Sequence, residues 1–94
     1  LIGVVCPPSL YVQTAQAVAR AHADRTGTAQ TALENQVLVL TPWEAKGLEF
    51  DVVVIVEPQQ LIDDADGAVG DLYVSMTRPT QRLHMVGSRM PAGL

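Results

Sequence analysis

The stretch Val37-Leu38-Val39-Leu40-Thr41-Pro42-Trp43-Glu44-Ala45-Lys46-Gly47-Leu48-Glu49-Phe50-Asp51-Val52-Val53-Val54-Ile55-Val56 decides the fold. Its two ends are short apolar runs rich in β-branched residues, and neither alternates apolar with polar positions as a one-sided sheet does. Strands of that kind are covered on both faces, as in parallel α/β architecture. Between them, Thr41 to Phe50 reads as a loop. Upstream, Leu1-Ile2-Gly3-Val4-Val5 is a further buried strand, closed by Pro7-Pro8, a pair that fits poorly inside a sheet. Ser9 is placed to cap a helix running to about Ala23, in which Tyr11, Ala15, Val18 and His22 recur at helical spacing and Gly27 marks a stop. A polar connection from Thr28 to Gln36 leads back to Val37. Downstream, Asp63 to Gly70 is rich in Asp and Gly and reads as a surface loop. A helix from about Ala68 or Val69 should end near Arg78, because Pro79 disfavours helical geometry at the residue before it. Leu83 to Val86 is a final strand, and Pro91 to Leu94 is a tail. The expectation is one α/β domain with a mostly parallel sheet flanked by helices, with no repeat and no second domain.

Composition limits what such a domain does alone. The chain has 94 residues and is 48% hydrophobic, enough for a single core, but only 4% aromatic, so Val, Leu, Ala and Ile must build that core. The formal net charge of −4 has the wrong sign for a free-standing phosphate-binding module. Cys6 is the lone cysteine, which excludes an internal disulfide, and it reads as a small buried hydrophobe. No Cys/His cluster points to zinc. Nothing resembles a signal peptide or a membrane span, so no membrane partner and a cytoplasmic location are expected. The chain opens at Leu1 within an apolar run rather than at a methionine, so the expectation is that it belongs to something longer.

Two segments carry chemistry. In open parallel sheets ligands sit at the carboxyl ends of strands, where Thr41 to Gly47 would fall after Val37 to Leu40. Lys46 is the only lysine of the chain, Gly47 can adopt a positive φ or admit a ligand closely, and Glu49 can accept hydrogen bonds from hydroxyls. Read locally, Lys-Gly is equally an ordinary turn dipeptide and Glu49 a solvated acid ahead of a strand. The second segment ends in Arg78. A planar, permanently charged guanidinium suits the charge that develops in phosphoryl transfer, while Arg78 and Arg82 read equally well as surface cations near a helix C-terminus. Leu72 and Met76 are core contacts of that helix. His22 and His84 are isolated. Asp63, Asp64 and Asp66 lack the later glutamate of a calcium loop and read as solvated, so no metal ligand is assigned.

Lys46-Gly47-Leu48-Glu49-Phe50 and Leu72-Tyr73-Val74-Ser75-Met76-Thr77-Arg78 together resemble motifs V and VI of superfamily 1 helicases of the UvrD/Rep type. The resemblance covers about residues 37 to 87 well, and residues 1 to 24 only as a generic strand-helix unit. It implies a RecA-like (P-loop NTPase-type) lobe, here the C-terminal part of the second such domain of an ATP-driven motor. By the same resemblance Glu49, with Gly47, contacts the nucleotide, and Arg78 is the catalytic arginine finger directed at the γ-phosphate. The loop of Thr41, Trp43 and Lys46 couples nucleotide state to nucleic acid. ATP with magnesium would be held mainly by an absent first lobe of the same parent chain, since no G-x-x-x-x-G-K-[ST] occurs here.

Two departures narrow the branch. DNA-unwinding members commonly place a histidine where this chain has Trp43, and an alanine where it has Pro79. Both variants look more like the HelD-type branch, motors that act on RNA polymerase. Trp43 can also stack on a base, worth about 1 to 3 kcal/mol, so DNA stays open as a partner beside RNA polymerase. The competing class is a non-catalytic protein-interaction module derived from such a lobe, against which stand the intact Lys46, Gly47, Glu49 and Arg78.

Overall fold

The computed structural model describes residues 1–25 and 37–92. Strand β1 (Ile2–Val5) is followed by a single 3-10 turn (Pro8–Leu10) and helix α1 (Tyr11–Arg25). Strand β2 (Val37–Leu40), a one-turn helix α2 (Pro42–Ala45) and strand β3 (Phe50–Val56) come next. Helices α3 (Pro58–Asp64) and α4 (Gly70–Met76) then lead to strand β4 (Pro79–Val86). The four strands form one sheet of order β2-β1-β3-β4, and every neighbouring pair is parallel. The expected parallel α/β architecture is therefore the one observed, and its topology is compatible with part of a RecA-type lobe.

One face of the sheet is closed. Val5, Leu40, Val53 and Ile55 point to it and pack with Ala45 of α2, Leu61 of α3 and Leu72 of α4. Phe50 completes this cluster, and Met76 packs against it as the helical spacing predicted. Cys6 is fully buried and donates its thiol proton to the Leu40 carbonyl at 3.6 Å. Burial pushes that thiol above its ordinary value, the opposite of what a reactive cysteine needs.

The opposite face is covered less than expected. α1 lies on it with Thr14, Ala15 and Val18 only half-buried and Tyr11 exposed. Val54 and Val56 stay half-buried and Val86 is 57% exposed, beside an open apolar groove of about 420 Å³ between α1 and the sheet. Continuous apolar runs thus mark both faces of these strands as apolar, while helices close only one of them completely. The expected stop at Gly27 and the connection from Thr28 to Gln36 lie outside the described residues, as does the side chain of His22.

Three local expectations are corrected. Ser9 does not cap α1; it sits in the 3-10 turn, where its N–H and hydroxyl donate to Asp64 Oδ2 at 3.3 and 2.8 Å. Asp63 and Asp64 belong to α3, not to a loop. That seven-residue helix is too short to persist by propensity. Pro58 at its first position, the buried Leu61, and two bonds one turn apart hold it: Gln59 to Asp63 at 3.1 Å and Gln60 to Asp64 at 2.8 Å. Finally, β4 begins at Pro79 rather than Leu83, because an irregular register between Phe50↔Pro79 and Val52↔Arg82 lets the strand start early. Arg82 is consequently a strand residue, not a neighbour of Arg78 on a helix.

Gly3 in β1 has no room for a side chain on the closed face. A Cβ there would stand 2.9 Å from the Phe50 ring. Gly3→Ala should lower stability by about 1 to 3 kcal/mol through overpacking, seen as a lower urea midpoint at unchanged m-value. Combining it with Phe50→Leu should cost less than the sum of the two single changes, whereas additive losses would show that the ring is not what Gly3 accommodates.

Candidate functional site

The sheet sorts the sequence-predicted residues into two groups at opposite ends. Thr41 follows the carboxyl end of β2, as expected, and opens α2. Its N–H and hydroxyl donate to Glu44 Oε1 at 3.0 and 3.2 Å, the reciprocal half of a capping box, and Pro42 occupies the first helical position. Gly47 and Glu49 do not share that end. They precede the amino end of β3, and a strand of seven residues spans about 20 Å. The chain crosses between the two ends by way of α2, whose Ala45 is buried in the core.

Trp43 and Lys46 lie on this crossing. The indole is 74% exposed, and the Lys46 ammonium stands 4.5 Å from its ring centroid, a cation–π contact worth about 0.5 to 1 kcal/mol at an exposed site. A base stacking on Trp43 must use the remaining ring face or displace the lysine. Lys46 N–H donates to the Trp43 carbonyl at 3.3 Å, and Leu48 N–H to the Ala45 carbonyl at 3.1 Å, which tightens the turn. Gly47 has φ +79°, a left-handed conformation that favours glycine, and an added Cβ there would meet nothing within 4 Å. The glycine therefore serves backbone conformation and leaves open space. Glu49 is exposed and has no hydrogen-bond partner among the described residues.

Arg78 joins Gly47 and Glu49 at the amino end of the sheet. Phe50 N–H donates to the Arg78 carbonyl at 3.1 Å, so the entry to β3 and the turn from α4 into β4 are tied together. The Arg78 side chain is half-buried. Its Nε donates to the Val74 carbonyl at 3.2 Å and its Nη2 to Thr77 Oγ1 at 3.2 Å. No carboxylate pairs with it among the described residues, so its charge is oriented without being neutralised. Reading by sequence identified Arg78 but missed Thr77. The available signal was a hydroxyl residue in the last turn of a helix, beside the charged one it serves.

The acidic residues do other work. Asp63 accepts from Gln59 and, at 3.0 Å, from Arg89. Asp64 accepts from Gln60 and Ser9. Glu57, held in the left-handed region at φ 50°, accepts from Ser88 N–H at 2.7 Å and Ser88 hydroxyl at 3.1 Å, pinning the chain after β4. His84 is exposed on β4. Among the described residues no three His, Cys, Asp or Glu side chains gather as a metal site, and no helix is long and apolar enough to cross a membrane. No protein-family model matches the chain, and no curated protein matches it.

The hydrogen bond from Gln59, then that from Arg89, lowers the pKa of Asp63 below the ordinary 3.8; the bond from Gln60, then those from Ser9, does the same for Asp64. A depressed carboxyl stabilises the fold above its unfolded value, and that contribution disappears as pH falls through the lower folded value. Both groups are solvated, so the effect is small. The melting temperature should fall as pH drops below 3.8, and Asp64→Asn should lower it at neutral pH while flattening this acid limb; an unchanged acid limb in that variant would exclude Asp64 as its source.

Proposed function

We propose that this chain is the C-terminal part of the second RecA-like lobe of a superfamily 1, UvrD/Rep-type ATPase, acting in the cytoplasm as one half of a split nucleotide site. The observation that carries the reading is the meeting of two separate sequence segments at the amino end of the sheet. The Gly47 to Glu49 turn and Arg78 are brought together by the Phe50–Arg78 backbone bond, and among the described residues neither the Arg78 guanidinium nor the Glu49 carboxylate has an ion-pair partner.

The residues present fit a minor share of a nucleotide. An oriented guanidinium without an acidic partner is a donor for phosphate oxygens, and Glu49 is an acceptor for sugar hydroxyls. When bound, ATP with magnesium supplies the phosphoryl group and its electrostatic clamp. Both would rest mainly on the first lobe of the parent chain. Arg78 then contributes positive charge where negative charge develops, without itself exchanging a proton. Trp43 and Lys46, on the chain that links the nucleotide end of the sheet to the carboxyl end of β2, form the coupling element toward nucleic acid or RNA polymerase. We favour the HelD-like, polymerase-associated motor, because Trp43 stands where DNA-unwinding members commonly have a histidine and Pro79 where they have an alanine.

In the full-length parent, Arg78→Ala should lower kcat for ATP hydrolysis by about 10³-fold or more with a much smaller change in ATP binding. Arg82→Ala, on the exposed strand β4, is the control; equal and small effects of both return Arg78 to a surface charge. The isolated 94-residue chain should show no magnesium-dependent phosphate release, and robust turnover by it would refute a split site. The parent should co-purify with RNA polymerase and unwind tailed duplexes poorly; processive unwinding without polymerase binding would make it a conventional DNA helicase.

A further inference from the structure

We propose that Thr77 is a positioning residue for Arg78, its hydroxyl fixing which edge of the guanidinium is presented beyond the end of α4; the inference rests on the reading of Arg78 given above. The Val74 carbonyl is a shared acceptor. It receives Thr77 N–H at 3.2 Å, the Thr77 hydroxyl at 2.8 Å and Arg78 Nε at 3.2 Å. With its own proton committed to Val74, the Thr77 oxygen turns a lone pair to Arg78 Nη2, 3.2 Å away. The hydroxyl is thus a relay between a helix-end carbonyl and a cation.

A guanidinium has five N–H donors in a rigid plane. Two are anchored, one on Nε and one on Nη2, and both lie along the same edge. The donors on Nη1 and the second on Nη2 have no partner among the described residues. One Nη1 donor and the second Nη2 donor form the adjoining edge, the fork that grips two oxygens of an oxyanion at once. Val74 and Thr77 bind the rear edge through neutral oxygens, so orientation is imposed while the full charge remains. Without the Thr77 hydroxyl only the Nε bond is left, and the plane can swing about that single anchor.

The test is a double-mutant cycle on magnesium-ATP hydrolysis by the full-length parent. Thr77→Val removes the hydroxyl at nearly constant volume and should lower kcat about 10-fold, with KM for ATP changed less than about twofold. Thr77→Ser, which restores the hydroxyl, should recover most of the rate. In the presence of Arg78→Ala, Thr77→Val should have no further effect, because the group it positions is gone. If Thr77→Val fails to accumulate as folded protein, Thr77→Ala is carried through the same cycle. Wild-type kcat in the Thr77 variant, with Arg78→Ala still impaired, overturns this inference alone. So does a loss that serine does not restore or that adds to that of Arg78→Ala. Wild-type kcat in Arg78→Ala overturns the reading of Arg78 as well.

Discussion

Phe50 packs its ring onto the bare Cα of Gly3, and most of the molecule is arranged around that contact. The ring fills the floor of the closed core at the point where β1 and β3 run side by side. Its backbone does separate work: the N–H holds the Arg78 carbonyl, and the carbonyl accepts the Thr80 hydroxyl at 3.3 Å. One residue therefore links the hydrophobic interior to the amino end of the sheet, where the candidate site lies. A shift of the ring would move the start of β3 and, through two hydrogen bonds, the turn that carries Arg78.

The parts legible in the sequence were those governed by continuous apolar patterning. Val37 to Leu40 and Val52 to Val56 announced parallel strands because nothing in them alternates, although the burial on both faces expected with that pattern is met on one face only. Leu72 and Met76 announced the inner face of α4 by their spacing. Short helices were not legible. α2 and α3 owe their existence to tertiary packing of Ala45 and Leu61 and to local side-chain bonds, and neither leaves a periodic trace over one or two turns. The hydroxyl of Ser9 illustrates the same limit, since a cap within its own helix and a bond to Asp64, 55 residues away, look identical in sequence.

The site was legible in its residue types and not in its arrangement. Thr41 to Phe50 read as one loop, with Thr41 to Gly47 at the carboxyl ends of the strands, yet in a parallel sheet the chain leaving one strand must return to the far end before the next begins. Thr41 and Glu49 are therefore separated by the length of the sheet, and a residue distant in sequence, Arg78, is what joins Glu49. The grouping follows from topology, which single-residue chemistry does not encode. Thr77 went unrecognised for a related reason: its importance lies in the direction of one lone pair.

The order of the strands also has a consequence for how the chain acquires its shape. The central strand β1 precedes both of its neighbours, and its contacts are far apart along the chain: Cys6 meets Leu40 across 34 residues and Leu1 meets Asp51 across 50. No hairpin can nucleate such a sheet, and loop closure must be completed before any ladder bond rewards it. Assembly is thus a late, collective event. Until β3 has been synthesised, the apolar strand β1 has only half of its eventual partners, and during that interval it is exposed to whatever other strands are at hand.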